Sequence, residues 1–200
     1  MPLIWDDRYA STDFFYGTDP NDFLREQVAR IASGGAVLSL GEGEGRNAAF
    51  LATQGHRVLA LDQSTVGLEK ARRLASSRGC SIDTLAVDLA AYRIEPGAWE
   101  AIISIWCHLP SELRRRVYAG IAAGLKPGGI FMLESYTPGQ ISLGTGGPKD
   151  PDLMPTLSQL RMELPGLVFE LAVERERDVH EGAGLGGRSA VVQVVARRPG

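Results

Sequence analysis

Three glycines alternate with two glutamates in Gly41-Glu42-Gly43-Glu44-Gly45, directly after the apolar run AVLSL (36–40). A strand running into such a cluster lets the backbone turn tightly and pass close to a ligand, with the N-terminus of the next helix aimed at it. The spacing discriminates between ligands. A dinucleotide fingerprint counted from Gly41 wants its third glycine at residue 46, which is Arg46, and the chain has no G-x-x-x-x-G-K-S/T phosphate loop. G-x-G-x-G instead suits a ligand without a pyrophosphate. Asp62 closes the next apolar run, where a carboxylate accepts from both hydroxyls of a ribose. Its other reading is a cap for the helix that follows at Ser64. Asp88 ends a third run in the same way, either accepting from an adenine amino group or capping the strand end.

Those residues need a scaffold, and the pattern around them supplies one. AVLSL (36–40), RVLALD (57–62), SIDTLAV (81–87), AIISIW (101–106) and IFMLES (130–135) are short apolar runs and read as strands. Between them, 46–54, 64–77 and a segment opening at Pro110 and Ser111 carry helical spacing, and Gly55, Gly79 and LKPGG (125–129) act as stops. Residues 21–31 place Phe23, Leu24, Val28 and Ile31 on one helical face, with Asn21 as cap. Strands alternating with amphipathic helices predict a parallel sheet covered on both faces. The last third differs. A Gly/Pro-rich stretch (138–155) precedes one helix, then 167–179 and 188–198 read as an antiparallel hairpin at the sheet edge. The stretch 138–155 is long for a connection and is expected to act as a lid.

Composition narrows the class. The chain has 200 residues, 21 basic and 24 acidic side chains and a net charge of −3. This length suits one α/β domain, and the charge gives no reason to expect nucleic acid or an anionic membrane as partner. No apolar run is long enough to span a bilayer, and a start carrying Asp6, Asp7 and Asp13 does not read as a secretory signal. Cys80 and Cys107 lie far apart, so neither a metal site nor a disulfide framework is expected, and a reducing cytoplasm is the default. The sequence leaves oligomeric state open.

Taken together, VLSLGEGEGRNAAFLATQGHRVLALDQS (37–64), VDLAAY (87–92), IISIWCHLP (102–110) and LKPGGIFMLESYTP (125–138) resemble successive motifs of the class I S-adenosylmethionine-dependent methyltransferases. WDDRY with YGTDPNDFL (5–24) and GTGGPKDPDL (144–153) narrow the likeness to the tellurite-resistance methyltransferases and their relatives near thiopurine methyltransferase. The resemblance implies an α/β, Rossmann-like seven-stranded mixed sheet, mostly parallel with an antiparallel C-terminal hairpin and helices on both faces. It divides a single domain into a cover segment (1–34), a cofactor-binding core (35–137), and a lid with the hairpin (138–200). The implied cofactor is S-adenosylmethionine, held by Gly41, Glu42, Gly43, Asn47, Asp62, Gln63, Ser64, Asp88, Leu89, Ile105 and Trp106, with Arg8, Tyr16 and Gly17 reaching it from the cover. Three positions depart from the family pattern. Ser39 stands where relatives carry an acid that helps hold the methionine amino group, a role Glu42 would take over. Trp106 stands where relatives often have a smaller Phe, and Glu181 replaces a basic residue.

Methyl transfer from a sulfonium is an in-line displacement, so the protein aligns the acceptor and excludes water. No Asp-Pro-Pro-Tyr or Asn-Pro-Pro-Tyr follows the fourth strand. Ile105-Trp106-Cys107-His108 stands there instead, which favours a small soft or anionic acceptor, such as a thiol or a chalcogen oxyanion, over a nucleic-acid amine. His108 is expected to line the site. By the resemblance, His180 and Arg188, either side of a glycine-rich turn, are expected to attract an oxyanion near the transferred methyl. His56 reads as a surface turn residue and Cys107 as a small buried hydrophobe. Two other functions share these features. An NAD-dependent oxidoreductase has the fold and Asp62, and the glycine spacing opposes it. A non-catalytic S-adenosylmethionine-binding regulator lacks a use for His180 and Arg188.

Overall fold

The computed structural model describes residues 4–182 and 185–200. Strands β1 (Ala36–Leu40), β2 (Arg57–Asp62), β3 (Asp83–Ala86), β4 (Trp99–Ile105), β5 (Leu125–Tyr136), β6 (Val168–Glu181) and β7 (Leu185–Arg197) form one sheet in the order β3-β2-β1-β4-β5-β7-β6. The first five pair in parallel, and β7 enters antiparallel between β5 and the edge strand β6. This is the seven-stranded mixed sheet the sequence predicts, with the hairpin folded so that its second strand lies inside.

Eight α-helices accompany it among the described residues: α1 (Ile4–Tyr9), α2 (Asp22–Gln27), α3 (Arg46–Thr53), α4 (Thr65–Ser77), α5 (Ser111–Tyr118), α6 (Ile121–Gly124), α7 (Gln140–Leu143) and α8 (Leu157–Glu163). Alternate residues of a strand point to opposite faces. Val37 and Ile103 therefore join Phe23, Leu24, Leu51 and Leu68 of α2, α3 and α4, while Leu38 and Ile102 join Val117, Ile121 and Leu160 of α5, α6 and α8. The strands are buried on both sides, which is why they read as continuous apolar runs. Each fully buried Leu or Ile contributes on the order of 1.5–3 kcal/mol.

Three boundaries differ from expectation. The helix read over 21–31 is α2 followed by a 3-10 turn at Val28–Arg30. LKPGG stops a helix as expected, α6 ending at Gly124 with Leu125 as its C-cap, but it also begins β5; the ladder to β4 runs Trp99–Leu125, breaks, and resumes at Ala101–Ile130. Pro127, without an N–H, sits in that break. The stretch 138–155 has structure of its own: α7 and a 3-10 turn at Pro151–Leu153. Gln140 pins it, donating to Thr145 Oγ1 (3.0 Å) and accepting from the Ala190 amide (2.9 Å).

The N-terminal segment is fastened to α4 by Lys70. Its ammonium is ion-paired with Glu44 and donates to the carbonyls of Ser11 (2.9 Å) and Asp13 (2.7 Å). No helix among the described residues is long and apolar enough to cross a membrane.

Candidate functional site

Strand order reverses between β1 and β4, so their carboxyl ends part and leave a crevice. A cavity of about 430 Å³ lies there, with Gly41, Asp62, Leu89 and Trp106 in its walls. That volume suits a nucleoside-sized ligand with a small companion.

The glycine loop builds one end. Gly41, Gly43 and Gly45 all have positive φ (63°, 64° and 91°). At Gly45 this is forced by packing as well, because a Cβ there would lie 2.4 Å from Ala71 on α4. The turn brings the Gly43 amide to Asp62 Oδ2 (2.8 Å), while Oδ1 accepts from the Ser64 amide (2.8 Å). Asp62 thus ties the loop to α4, and both oxygens keep lone pairs for further donors. Burial pushes its carboxyl up, against the hydrogen bonds from Ser64 and Gly43 that hold it down. Ser64 caps α4 through the Gly67 amide (2.9 Å) and donates to Asp6 (2.5 Å).

Glu42 is buried at the start of α3. Its Oε1 accepts from the amides of Asn47 (3.1 Å) and Ala48 (2.9 Å), and Ser39 donates to Oε2. Burial pushes this carboxyl up as well, partly offset by those bonds. Ser39, in place of an acid, therefore supports the carboxylate three residues later, which does reach the cavity.

The other end is aromatic. Trp106 and Tyr136 lie with ring centroids 4.5 Å apart, and His108 stacks on Tyr136 at 5.6 Å and 9°. Trp106 has φ 55°, the one positive value outside glycine among the described residues, a conformation that costs on the order of 1–3 kcal/mol and clusters at functional sites. Burial pushes His108 down to about 4, against a bond to the Leu153 carbonyl, so the ring is neutral near pH 7. Burial likewise pushes the Cys107 thiol up to about 12, leaving it protonated and inert. Cys80 and Cys107 are both free. Beneath the rings runs a buried polar network. Arg177 grips Glu134 with two bonds (2.8 and 2.7 Å), Gln193 donates to Glu134 (2.6 Å), and Asn21 bridges Glu134 (2.5 Å) and Glu181 (2.8 Å).

Of the expected cofactor contacts, Arg8, Tyr16, Gly41, Glu42, Asn47, Asp62, Gln63, Leu89, Ile105 and Trp106 line this cavity, as does His108. Gly17, Gly43, Ser64 and Asp88 do not. Gly43 and Ser64 act one layer back, through Asp62, and Gly17 packs against Gly182. Asp88 is exposed and caps its own turn, accepting from the Ala90 amide (2.8 Å), so its capping reading holds.

The expectation of a cationic pocket from His180 and Arg188 is corrected. Both side chains are exposed on the hairpin, and Arg188 pairs with Glu176 (3.1 Å). The reason is strand alternation: Val179 and Glu181 take the inward face, which sends His180 outward. His56 is also corrected. It is buried rather than at the surface, and its imidazole is held below its ordinary value by that burial.

Sequence reasoning missed Glu44 and Arg46 in the wall, and Glu134 and Arg177 beneath it. One signal was present: Glu134 is an acid inside the apolar strand IFMLESY, where a charge needs a buried partner. The three departures from the family pattern also resolve into two contacts. Ser39 bonds Glu42, and Trp106 Nε1 donates to Glu181 (2.7 Å).

Residues 37–129 match a family model described as a methyltransferase domain. No curated protein matches the sequence significantly. Among solved structures, the chain is similar to one from work on conversion of a disulfide bond into a thioacetal group during echinomycin biosynthesis, at 19% identity over 98% of this chain and 91% of that one, with a TM-score of 0.77. TehB from Haemophilus influenzae is 18% identical over 97% of this chain and 65% of its own, with a TM-score of 0.70. PH0226 from Pyrococcus horikoshii OT3 is 16% identical over 96% and 98%, also at 0.70.

Proposed function

We propose that this chain, a class I methyltransferase by its domain and fold that uses S-adenosylmethionine, transfers the methyl group to a small soft nucleophile seated at the aromatic end of the cavity. The observation that carries the reading is the Trp106–His108–Tyr136 cluster, which shares one cavity with Asp62 and the glycine loop.

The wall fits the cofactor. Asp62 keeps acceptor capacity for ribose hydroxyls, Val87 and Leu89 offer an apolar slot for an adenine, and the buried Glu42 offers a carboxylate for the methionine amino group. When bound, the cofactor supplies a methyl group made electrophilic by its sulfonium. The faces of Trp106, Tyr136 and Tyr16 suit a cation that has lost its water. The work left to the protein is alignment and exclusion of water, which together contribute roughly 7–11 kcal/mol in well-oriented reactions.

Acceptor class follows from what the aromatic end lacks. His108 is too weakly basic to take a proton efficiently near pH 7. The two cations in the wall are engaged: Arg46 with Glu181, and Arg8 with the Tyr16 hydroxyl (2.9 Å) and the faces of Trp5 and Phe15. An acceptor that needs neither a strong base nor a strong counter-cation fits best: a thiol that ionises readily, or another polarisable small molecule. Selection of an oxyanion by His180 and Arg188 is not part of this reading.

The test is a panel of small thiols, chalcogen oxyanions, halides, carboxylates and amines, read out as S-adenosylhomocysteine formed. The expected result is turnover confined to the soft acceptors and weakened by Tyr136→Ala. Turnover of a hard amine or carboxylate alone would overturn the acceptor class.

A further inference from the structure

Glu181 is the last residue of β6, with a side chain only 4% exposed, and its carboxylate serves four donors. Oε2 accepts from Trp106 Nε1 at 2.7 Å and pairs with Arg46; Oε1 accepts from Asn21 Nδ2 at 2.8 Å and from Arg177 at 3.4 Å. Three of these lead to the cavity wall. Trp106 and Arg46 line it directly, and the Asn21 backbone N–H donates to Oδ1 of Asn47, which also lines it (2.9 Å). The next residue closes a further link, since a side chain at Gly182 would lie 2.4 Å from the Tyr16–Gly17 peptide of the cover.

Trp106 is the residue in most need of a hold. Its left-handed backbone is disfavoured for a bulky side chain, so surrounding contacts must fix it. The Tyr136 ring supports one face of the indole, and Glu181 takes its only polar atom. We propose that Glu181 is a positioning residue for methyl transfer, fixing the Trp106 indole in the wall between the cofactor and the acceptor. The sequence places an acid where the indole N–H needs an acceptor, and the hairpin delivers it from the far end of the chain. A carboxylate there solely to neutralise Arg46 would leave the indole indifferent to its loss. The proposal rests on the methyltransferase reading for its functional half only.

The experiment follows the indole N–H resonances of Trp5, Trp99 and Trp106, with the Trp106 signal identified by its loss in Trp106→Phe. In the unaltered chain that signal is expected to exchange slowly with solvent; fast exchange overturns the proposal with no variant at position 181. Glu181→Gln keeps a side-chain acceptor and removes the charge. It is expected to shift the Trp106 signal, speed its exchange, and weaken S-adenosylhomocysteine binding about tenfold, the scale of one charged hydrogen bond. In the Trp106→Phe background the same change is expected to weaken binding no further. An unmoved Trp106 signal, or an equal loss of affinity in both backgrounds, overturns the proposal and leaves Glu181 as the counter-ion of Arg46. A responsive indole in a chain that binds no S-adenosylhomocysteine would instead sink the cofactor reading and keep the Glu181–Trp106 link.

Discussion

At one end of the cavity the wall is built on a tight turn: a glycine loop, with Asp62 gathering the Gly43 amide of that loop and the Ser64 amide that opens α4. At the aromatic end it is rings over a floor of Glu134, Glu181, Arg46 and Arg177, drawn from β5, β6 and α3. The first kind of wall is specified locally, because a turn needs only its own glycines and the strand before it. The second exists only after distant segments have met. The contrast teaches where each end is vulnerable: the aromatic end through stability, the glycine-loop end through affinity.

The largest effect is expected in the floor. Glu134→Ala leaves Arg177 buried without its main partner, and breaking such a pair costs roughly 3–5 kcal/mol. Denaturant midpoints measure this, and a loss under about 1 kcal/mol would mean that water or rearrangement replaces the pair.

Asp62→Ala probes the opposite end. Cofactor affinity is expected to fall by roughly 1.5–3 kcal/mol, while stability drops about 1 kcal/mol through the lost amide contacts. Calorimetric titration and unfolding of the same variant separate the two; stability falling more than affinity would erase the distinction between the ends.

A smaller effect follows from pH. His108 has a folded value of about 4, below the unfolded value near 6.5. As pH falls through 6.5 the unfolded chain takes up the proton first, so stability declines toward pH 4 and then levels off. His108→Gln is expected to remove that part of the decline, seen as converging midpoints of the two proteins at acid pH. Parallel curves would show that the ring is hydrated.

The smallest change is Tyr136→Phe. The Tyr136 hydroxyl is buried at the wall without a well-formed partner, and burial pushes it up to about 12. Its removal is expected to change stability by less than about 1 kcal/mol. A larger change in the Michaelis constant than in stability would assign the hydroxyl to the acceptor.

This contrast also explains what the sequence made legible. The sheet, the loop and Asp62 follow from periodicity and glycine spacing, which are local properties. His108 is legible at the site because it follows a strand whose end faces it, and Trp106 only through the family resemblance. The network was not legible, since nothing near Asn21 announces that it meets Glu134 and Glu181. His180 and Arg188 failed for a narrower reason. Strand alternation decides which of two neighbours points inward, and a shift of one residue exchanges His180 for Glu181.

β6 has a consequence for how copies of this chain coexist. As an edge strand of 14 residues it offers an unpaired ladder of the kind on which another chain's strand can build a fibre. Glu170, Glu174, Arg175, Glu176 and Asp178 stand exposed along it, so a second copy laid there would have to strip water from these charges, most of them crowded between 174 and 178. The same strand that brings Glu181 beneath the cavity wall thereby presents charge, rather than bare apolar ladder, to a neighbouring copy.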